Sequence, residues 1–381
     1  MFSEKVIRPS HQWLLLALSV GLTVAVVLSM ALTGKADATK KRSIVVPRDY
    51  PTIQAAVNAA SPRSTINVSQ GTYTEQISID KDLKLTGSGA GSTIIRAPET
   101  LVPGKGTPGT PDENAIVEIQ DEASLALSQL TVSGPGAGTC EDGALRNGIL
   151  VLPDSHLDLS FAGVTHIHDT PVSNCSRSGN AILAEDASVN IRNTSVSDYQ
   201  AAAIVIVGGT ATITDNTVSG PGASTATTTG GIELVAGATG TVSGNTVSGN
   251  ACGNPDFGCG PDFFNEFQQA GIVGGEGTVI TQNTLYDNQV GIYGVDSAMI
   301  SRNVLTNNHY FGIALQDGSF TVSNDQITGG EGGVAVIAAS HNTEAVLDRV
   351  SIAQTAGAPV QKFECCGYNA TATVKDKPGR H

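Results

Sequence analysis

One phrase returns along most of this chain: a small residue, Gly or Ala, followed by Ile or Val. It stands as Gly148-Ile149, Ala181-Ile182, Ala203-Ile204, Gly231-Ile232, Gly271-Ile272, Gly291-Ile292, Gly312-Ile313 and Gly333-Val334. The aliphatic members are spaced by 33, 22, 28, 40, 20, 21 and 21 residues, so the unit is about 21 residues and the longer intervals hold insertions. Between the phrases run short alternating segments such as Ala211-Thr-Ile-Thr, Thr278-Val-Ile-Thr and Ala298-Met-Ile-Ser. Alternation with a period of two is the signature of strand. Strands this short, bent at Gly and Asn, cannot close separate hairpins at a fixed interval. Coiling each repeat into one rung instead places equivalent residues about 4.8 Å apart in parallel ladders. The chain therefore reads as all-β, a single-stranded parallel β-helix of about ten rungs.

Asparagines keep the same rhythm: Asn193, Asn216, Asn245, Asn283, Asn303 and Asn324. A further row of Asp198, Asn250, Asn288 and Asn308 follows each by about five residues. Both rows read as hydrogen-bonded ladders at the bends, not as catalysts. A solenoid end exposes apolar core and needs a cap. Thr52 is a suitable N-cap, and Ile53, Ala56, Val57 and Ala60 fall on one helical face, so a short capping helix is expected over 52–60. Strand-like pieces follow at 64–68, 75–79 and 83–85. Domains are expected at 1–38 (a leader), 39–355 (the solenoid) and 356–381 (a C-terminal cap or tail).

Small aliphatics dominate: hydrophobic residues make up 40% and aromatics only 4%, which suits narrow stacked strands. The formal charge is −14, and residues 1–38 carry +1 of it through Lys5, Arg8 and Lys35 against Glu4 and Asp37. An acidic body argues against nucleic acid as a partner. Lys5, Arg8 and His11 precede an apolar stretch from Trp13 to Leu32, and Ala36-Asp37-Ala38 supplies a cleavage signal. These residues are expected to direct export, with a retained membrane anchor as the alternative. A secreted or surface-held monomer, in a compartment where disulfides persist, follows from either. Of six cysteines, Cys252 and Cys259 bracket a short loop and are expected to pair; Cys140 and Cys175 lie in successive insertions and could do the same. Adjacent Cys365 and Cys366 are expected to pair elsewhere if at all. No Cys-x-x-Cys pair suggests zinc.

The opening segment Asp49-Tyr-Pro-Thr-Ile-Gln-Ala-Ala-Val-Asn-Ala-Ala, with Thr65-Ile-Asn-Val, Gly71-Thr-Tyr-Thr-Glu, Leu83-Lys-Leu-Thr-Gly-Ser-Gly and Thr93-Ile-Ile, resembles the N-terminal region of right-handed parallel β-helix proteins of the pectin lyase-like superfamily. The resemblance covers most of 44–355 and implies a right-handed coil. Members include pectin and pectate lyases and pectinesterases, which implies polysaccharide as a partner. The catalytic segments of pectinesterases, the Asp-Pro-His-Glu motif of alginate epimerases, the paired aspartates of polygalacturonases and the Arg-centred motif of pectate lyases have no counterpart here, so no subfamily mechanism carries over.

In a solenoid the regular turns are scaffold, and function gathers where insertions rise. The insertions at 134–146, 171–178, 221–229 and 250–269 all precede the Gly-Ile phrase, so they emerge on one face. Beside the first two lies Thr165-His-Ile-His-Asp. On a strand His166 and His168 point the same way. Shifting by 32 residues to the next rung places His166 beside Asp198 and His168 beside Gln200. A histidine against a carboxylate is a reasonable general base, and Arg177 and Arg146 could hold a substrate carboxylate. The catalytic candidates are thus His166, His168, Asp198 and Arg177; Arg146, Asp169, His309 and Tyr310 are candidates for substrate binding. A His-x-His metal site would need Asp169 or Asp198 as a third ligand. The fourth insertion carries Asp256, Asp262 and Glu266 among Phe257, Phe263, Phe264 and Phe267; such a loop could stack sugar rings, but its phenylalanines are expected to be buried on the solenoid wall. Asp121, Asp154, Asp186, Asp296 and Asp317 recur in one phase; calcium could bind such a stack, although turn formation explains most of them. Three functions fit these residues: a lyase-like enzyme acting on a uronate polysaccharide, a surface protein binding glycan or cation, and a purely structural solenoid.

Overall fold

The structure is a computed structural model that describes residues 43–104, 114–137, 144–172, 179–223, 228–253, 258–266 and 268–375. Its strands form three long parallel sheets, and a fourth, two-stranded one pairs Gly136–Ala137 with Asp169–Thr170. Sheet 1 has 13 strands, from Ser43–Val46 to Ala370–Lys375; sheet 2 has 11, from Gly71–Thr74 to Ser351–Ala353; sheet 3 has 11, from Ile77–Ile79 to Val360–Glu364. One rung visits them in turn, as Thr210–Thr214, Thr217–Ser219 and Gly230–Val235 do. This is the expected right-handed parallel β-helix. It carries more strands per sheet than ten rungs would, because both ends add pieces. Ser43–Val46 pairs ahead of the cap, and Val360–Glu364 and Ala370–Lys375 continue sheets 3 and 1 through the C-terminal stretch.

The core is a set of aliphatic columns. Ile182, Ile204, Ile232, Ile272, Ile292, Ile313 and Val334 are successive pairing partners, all fully buried. The small residue before each has a steric cause. A Cβ on Gly231 would lie 2.1 Å from the carbonyl oxygen of Gly271, and one on Gly291 would lie 2.5 Å from that of Gly312. Rungs meet so closely at this corner that the repeat phrase is a packing requirement.

Between sheets 1 and 2 each rung turns on one left-handed residue: Asn193, Asp215, Gln282, Arg302 and Asn324 have φ between 49° and 61°. The next residue forms the ladder. Asn245 Oδ1 accepts from the N–H and the side-chain amide of Asn216 (2.9 and 3.0 Å), while Asn245 Nδ2 donates to the Ile213 carbonyl (2.9 Å). Asn283 and Asn303 repeat the pattern. The ladder ends one residue away from where the spacing put them. Thr194 and Asp325 occupy the ladder positions, and Asn193 and Asn324 are the turn residues. The second row shifts in the same way. Asn250, Asn288 and Asn308 are linked, but the Tyr199 hydroxyl joins them by donating to Asn250 Oδ1 (2.5 Å), which leaves Asp198 outside the row.

The capping helix is Ile53–Ala59, with Thr52 accepting the Ala55 N–H and with Ile53, Ala56 and Val57 buried. Glu75 supplies a second cap: its two carboxylate oxygens accept the N–H groups of Ile53 and Gln54, each at 2.9 Å. The Gly71-to-Glu75 motif is therefore scaffold. Cys252 and Cys259 are joined as expected. Cys365 and Cys366 are joined to each other, contrary to expectation. Cys366 (φ 62°) and Gly367 (φ 91°) are both left-handed, and the Tyr368 N–H returns to the Cys365 carbonyl (3.0 Å), a turn tight enough to bring neighbouring sulfurs together. Cys140, Cys175 and the leader lie outside the described residues. Among the described residues no helix is long and apolar enough to cross a membrane.

Candidate functional site

The strand Gly163–Ile167 of sheet 2 pairs with Ser195–Tyr199, setting Thr165 against Ser197 and Ile167 against Tyr199. His166 therefore opposes Asp198. Both are left-handed, at φ 58° and 52°, so both side chains turn outward while Ile167 and Tyr199 on either side stay buried. Residues other than glycine seldom adopt this conformation, although His and Asp tolerate it better than most. The turn also crowds the previous rung: a Cβ on Gly134 would sit 1.9 Å from the His166 carbonyl oxygen. A glycine there keeps the outward turn possible.

The two histidines meet on one atom. Asp198 Oδ2 lies 3.5 Å from His166 Nε2 and 3.5 Å from His168 Nε2. Asp198 is 49% exposed, His166 53% and His168 18%, so His168 is the recessed member. Its Nδ1 lies 2.9 Å from the Asp169 carbonyl oxygen and donates to it, which leaves Nε2 as the nitrogen that can accept a proton. Asp169 is fully buried; its N–H donates to Gln200 Oε1 (3.0 Å), and Gln200 Nε2 donates back to Asp169 Oδ2 (3.4 Å). Gln200 thus supports the residue behind His168 and does not touch the imidazole itself. A Cβ on Gly179 would lie 2.3 Å from the Gln200 Cβ, so Gly179 makes room for that support.

Of the remaining candidates, Arg146 sits at the same corner, partly buried, and its carbonyl accepts the N–H groups of Gly179 and Asn180 (3.0 and 2.8 Å). Arg177 lies outside the described residues. His309 and Tyr310 occupy the same corner five rungs beyond His166 and His168 and four beyond Asp198, about 24 and 19 Å along the axis by strand spacing. They do not join the His166–His168–Asp198 group: His309 is exposed, and Tyr310 packs into an aromatic cluster. That cluster answers for the fourth insertion. Phe263 packs on the outer wall of sheet 3 with ring centroids 5.4 Å from Phe311, 5.0 Å from Phe363 and 6.0 Å from Tyr293. Asp256, Phe257 and the Phe267 side chain lie outside the described residues. Among the described residues no three His, Cys, Asp or Glu side chains converge to hold a metal ion. The phased acids Asp121, Asp154, Asp186, Asp296 and Asp317 all have φ between 46° and 62° and are turn residues; the Asp317 carboxylate accepts the N–H groups of Ala339, Ser340 and His341.

One chemically active group has no counterpart in the sequence reading. Glu233, on the outer face of sheet 3, stacks between Val205 and Val273. Burial pushes its carboxyl up to about 7. Its immediate neighbours in the column are apolar, with Leu183 one rung behind Val205 and a second acid, Glu118, two rungs behind Leu183; an acid set between two valines is the signal that could have found it.

Residues 180–350 match the family described as a right handed beta helix region. No curated protein matches the chain. Among solved structures, the chain is similar to the A-module of the mannuronan C-5 epimerase AlgE4 of Azotobacter vinelandii, with 15% identity and a TM-score of 0.52, covering 85% of this chain and 95% of that one. It is also similar to a GH136 lacto-N-biosidase from Eubacterium ramulus, with 12% identity and a TM-score of 0.52, covering 79% of this chain and 62% of that one. At these identities the likeness is one of fold.

Proposed function

We propose that this chain, a right-handed parallel β-helix protein whose fold fits the pectin lyase-like superfamily, acts outside the cytoplasm on a uronate-containing polysaccharide at the corner between sheets 2 and 3. The observation that carries the reading is the shared contact of His166 and His168 with Asp198 Oδ2, together with the commitment of His168 Nδ1 to a main-chain carbonyl. In this reading His168 Nε2 takes the proton from the carbon next to the sugar carboxylate. The electron pair left behind forms a carbon–carbon double bond as the bond to the glycosidic oxygen breaks, and that oxygen leaves taking a proton from water. Asp198 lies against the imidazolium so formed and offsets its charge. The fold similarity to two carbohydrate-acting proteins supports a glycan partner, and the basic and apolar leader supports export.

The test is a screen of the full chain on pectate, alginate and related uronans, with and without added calcium, following the ultraviolet absorbance of the unsaturated product. Activity in the wild type that drops about a hundredfold or more in His168→Ala, with the fold intact, is the expected result. Activity unchanged by that substitution would remove His168 from the mechanism. A second reading, a non-catalytic glycan-binding surface, is favoured by the exposure of Asp198 and His166, since catalytic groups gain from exclusion of water. Binding without turnover across the panel would select it.

A further inference from the structure

Glu233 is the most unusual acid on the described surface, and its surroundings were built around it. A Cβ on Gly230 would lie 1.8 Å from Glu233 Oε1 and 3.2 Å from Gln269 Oε1, so only a glycine leaves room for the carboxyl, and Gln269 borders the same space. Gln269 closes the fourth insertion, and its N–H donates to Gln289 Oε1 (2.6 Å). The same oxygen accepts the N–H of Cys252 (3.2 Å), whose disulfide to Cys259 ties off the start of that insertion. Two ends of one insertion are thereby fixed on a buried glutamine, and Glu233 itself is only partly exposed on the outer face of sheet 3.

Around that acid the neighbours are neutral. Val205 faces it from the strand before and Val273 from the strand after. Gln269 faces it from the insertion, and Tyr199, itself pushed up by burial, is the titratable group within electrostatic reach from sheet 2. Among the described residues no Lys, Arg or His forms an ion pair with Glu233. A carboxyl in such a setting is held protonated and presents an O–H donor.

We propose that Glu233 forms a sugar subsite that takes the carboxylate of a uronic acid unit, one position along the solenoid axis from the His168–Asp198 pair. This rests on the reading of the chain as a uronan-acting protein. Glu233 lies one rung beyond the strand that follows Asp198 and two beyond the strand that follows His168, axial offsets of about 5 and 10 Å by strand spacing. A chain of sugars lying along the axis past His168 would meet it next. A protein of net charge −14 must receive an acidic polymer somewhere without repelling it. A neutral carboxyl does so by donating a short, strong hydrogen bond to the incoming carboxylate. A neutral sugar in the same place would gain far less from it. The donor exists only while Glu233 keeps its proton, so the subsite weakens as pH rises through about 7.

Calorimetric binding of a short oligouronate to the full-length protein tests this, with its carboxyl-reduced neutral counterpart as control, at about pH 5.5 and about pH 8.5 on either side of the Glu233 transition. Wild type should bind the acidic ligand about tenfold more weakly at the higher pH, and Glu233→Gln, which keeps a donor that does not titrate, should bind it with much less loss. Glu233→Ala should bind it about tenfold more weakly at the lower pH, with the neutral ligand little changed in any variant. His166 and His168 are present in every variant, so the difference between wild type and Glu233→Gln isolates Glu233. Identical pH profiles for those two proteins would overturn the subsite while leaving the uronan reading standing. No binding of any uronan by wild type at either pH would overturn both.

Discussion

Asp325 stands where the rungs before it carry asparagine, and the exchange of one atom for another has a cost that depends on pH. Its Oδ1 does the ladder's work, accepting the Asn303 N–H (2.7 Å) and side-chain amide (2.8 Å). Its Oδ2 is buried without a hydrogen-bond partner, at the position from which Asn303 Nδ2 reaches the Ile280 carbonyl of the rung before it. Burial pushes the carboxyl up to about 6, so the folded state holds this proton more tightly than the unfolded chain. The stability it contributes is complete below the ordinary carboxylate value and is lost as pH rises through about 6. Asp325→Asn should therefore stabilise the protein by about 1–3 kcal/mol at neutral pH and by little near pH 4, read from denaturant midpoints at the two pH values. Asp317 has the opposite sign. Burial acts to raise its carboxyl, but the Ser340, His341 and Ala339 N–H groups prevail and hold it below the ordinary value. Its contribution is present above that value and is lost as pH falls through the folded one. Asp317→Ala should cost about 1–3 kcal/mol at pH 7 and progressively less as pH falls below the ordinary carboxylate value, in the same measurement.

At the scale of elements, the capping helix depends on a residue from outside itself. With seven residues it is too short to persist alone, and Glu75 satisfies two of its open N–H groups from a neighbouring segment. Glu75→Ala should lower stability by about 1–2 kcal/mol and leave glycan binding unchanged, a combination that a catalytic glutamate would not give. The asparagine ladder is the corresponding device inside the solenoid. Asn245 is fully enclosed and bonded both to Asn216 and to Asn283. Replacing it with alanine would strand donors and acceptors in two neighbouring rungs, so Asn245→Ala should cost about 2–4 kcal/mol in chemical denaturation, more than Asn58→Ala on the exposed face of the capping helix.

For the whole molecule, stability is close to a sum over rungs and their interfaces, so the ends decide how it fails. Val360–Glu364 covers the last edge of sheet 3, and Phe363 fills the aromatic cluster with Phe263 and Phe311. Ending the chain at residue 355 should lower the melting temperature by several degrees and raise light scattering on heating, because an open strand edge and an apolar wall become available together. The repeat made the fold legible from sequence, since the Gly-Ile columns recur wherever the rungs approach most closely. The ladder was misplaced by one residue at both ends because Asn193 and Asn324 sit beside the true ladder residues Thr194 and Asp325, and pattern alone cannot say which of two adjacent polar residues turns inward. The pairing of His166 with Asp198 could be read by counting 32 residues between rungs. The convergence of His168 on the same carboxylate could not, because it depends on two left-handed residues facing each other. Glu233 was missed for a different reason: its signal, an acid between two valines of an outer column, is local and has no period. The side of the solenoid that carries His168, Asp198 and Glu233 has one further property. Its landmarks are separated by whole strand spacings, so it is graduated like a ruler. Splicing one additional repeat between Val207 and Thr210 would move Glu233 away from Asp198 by a single fixed increment, and the length of oligosaccharide that binds best should change in steps, never continuously.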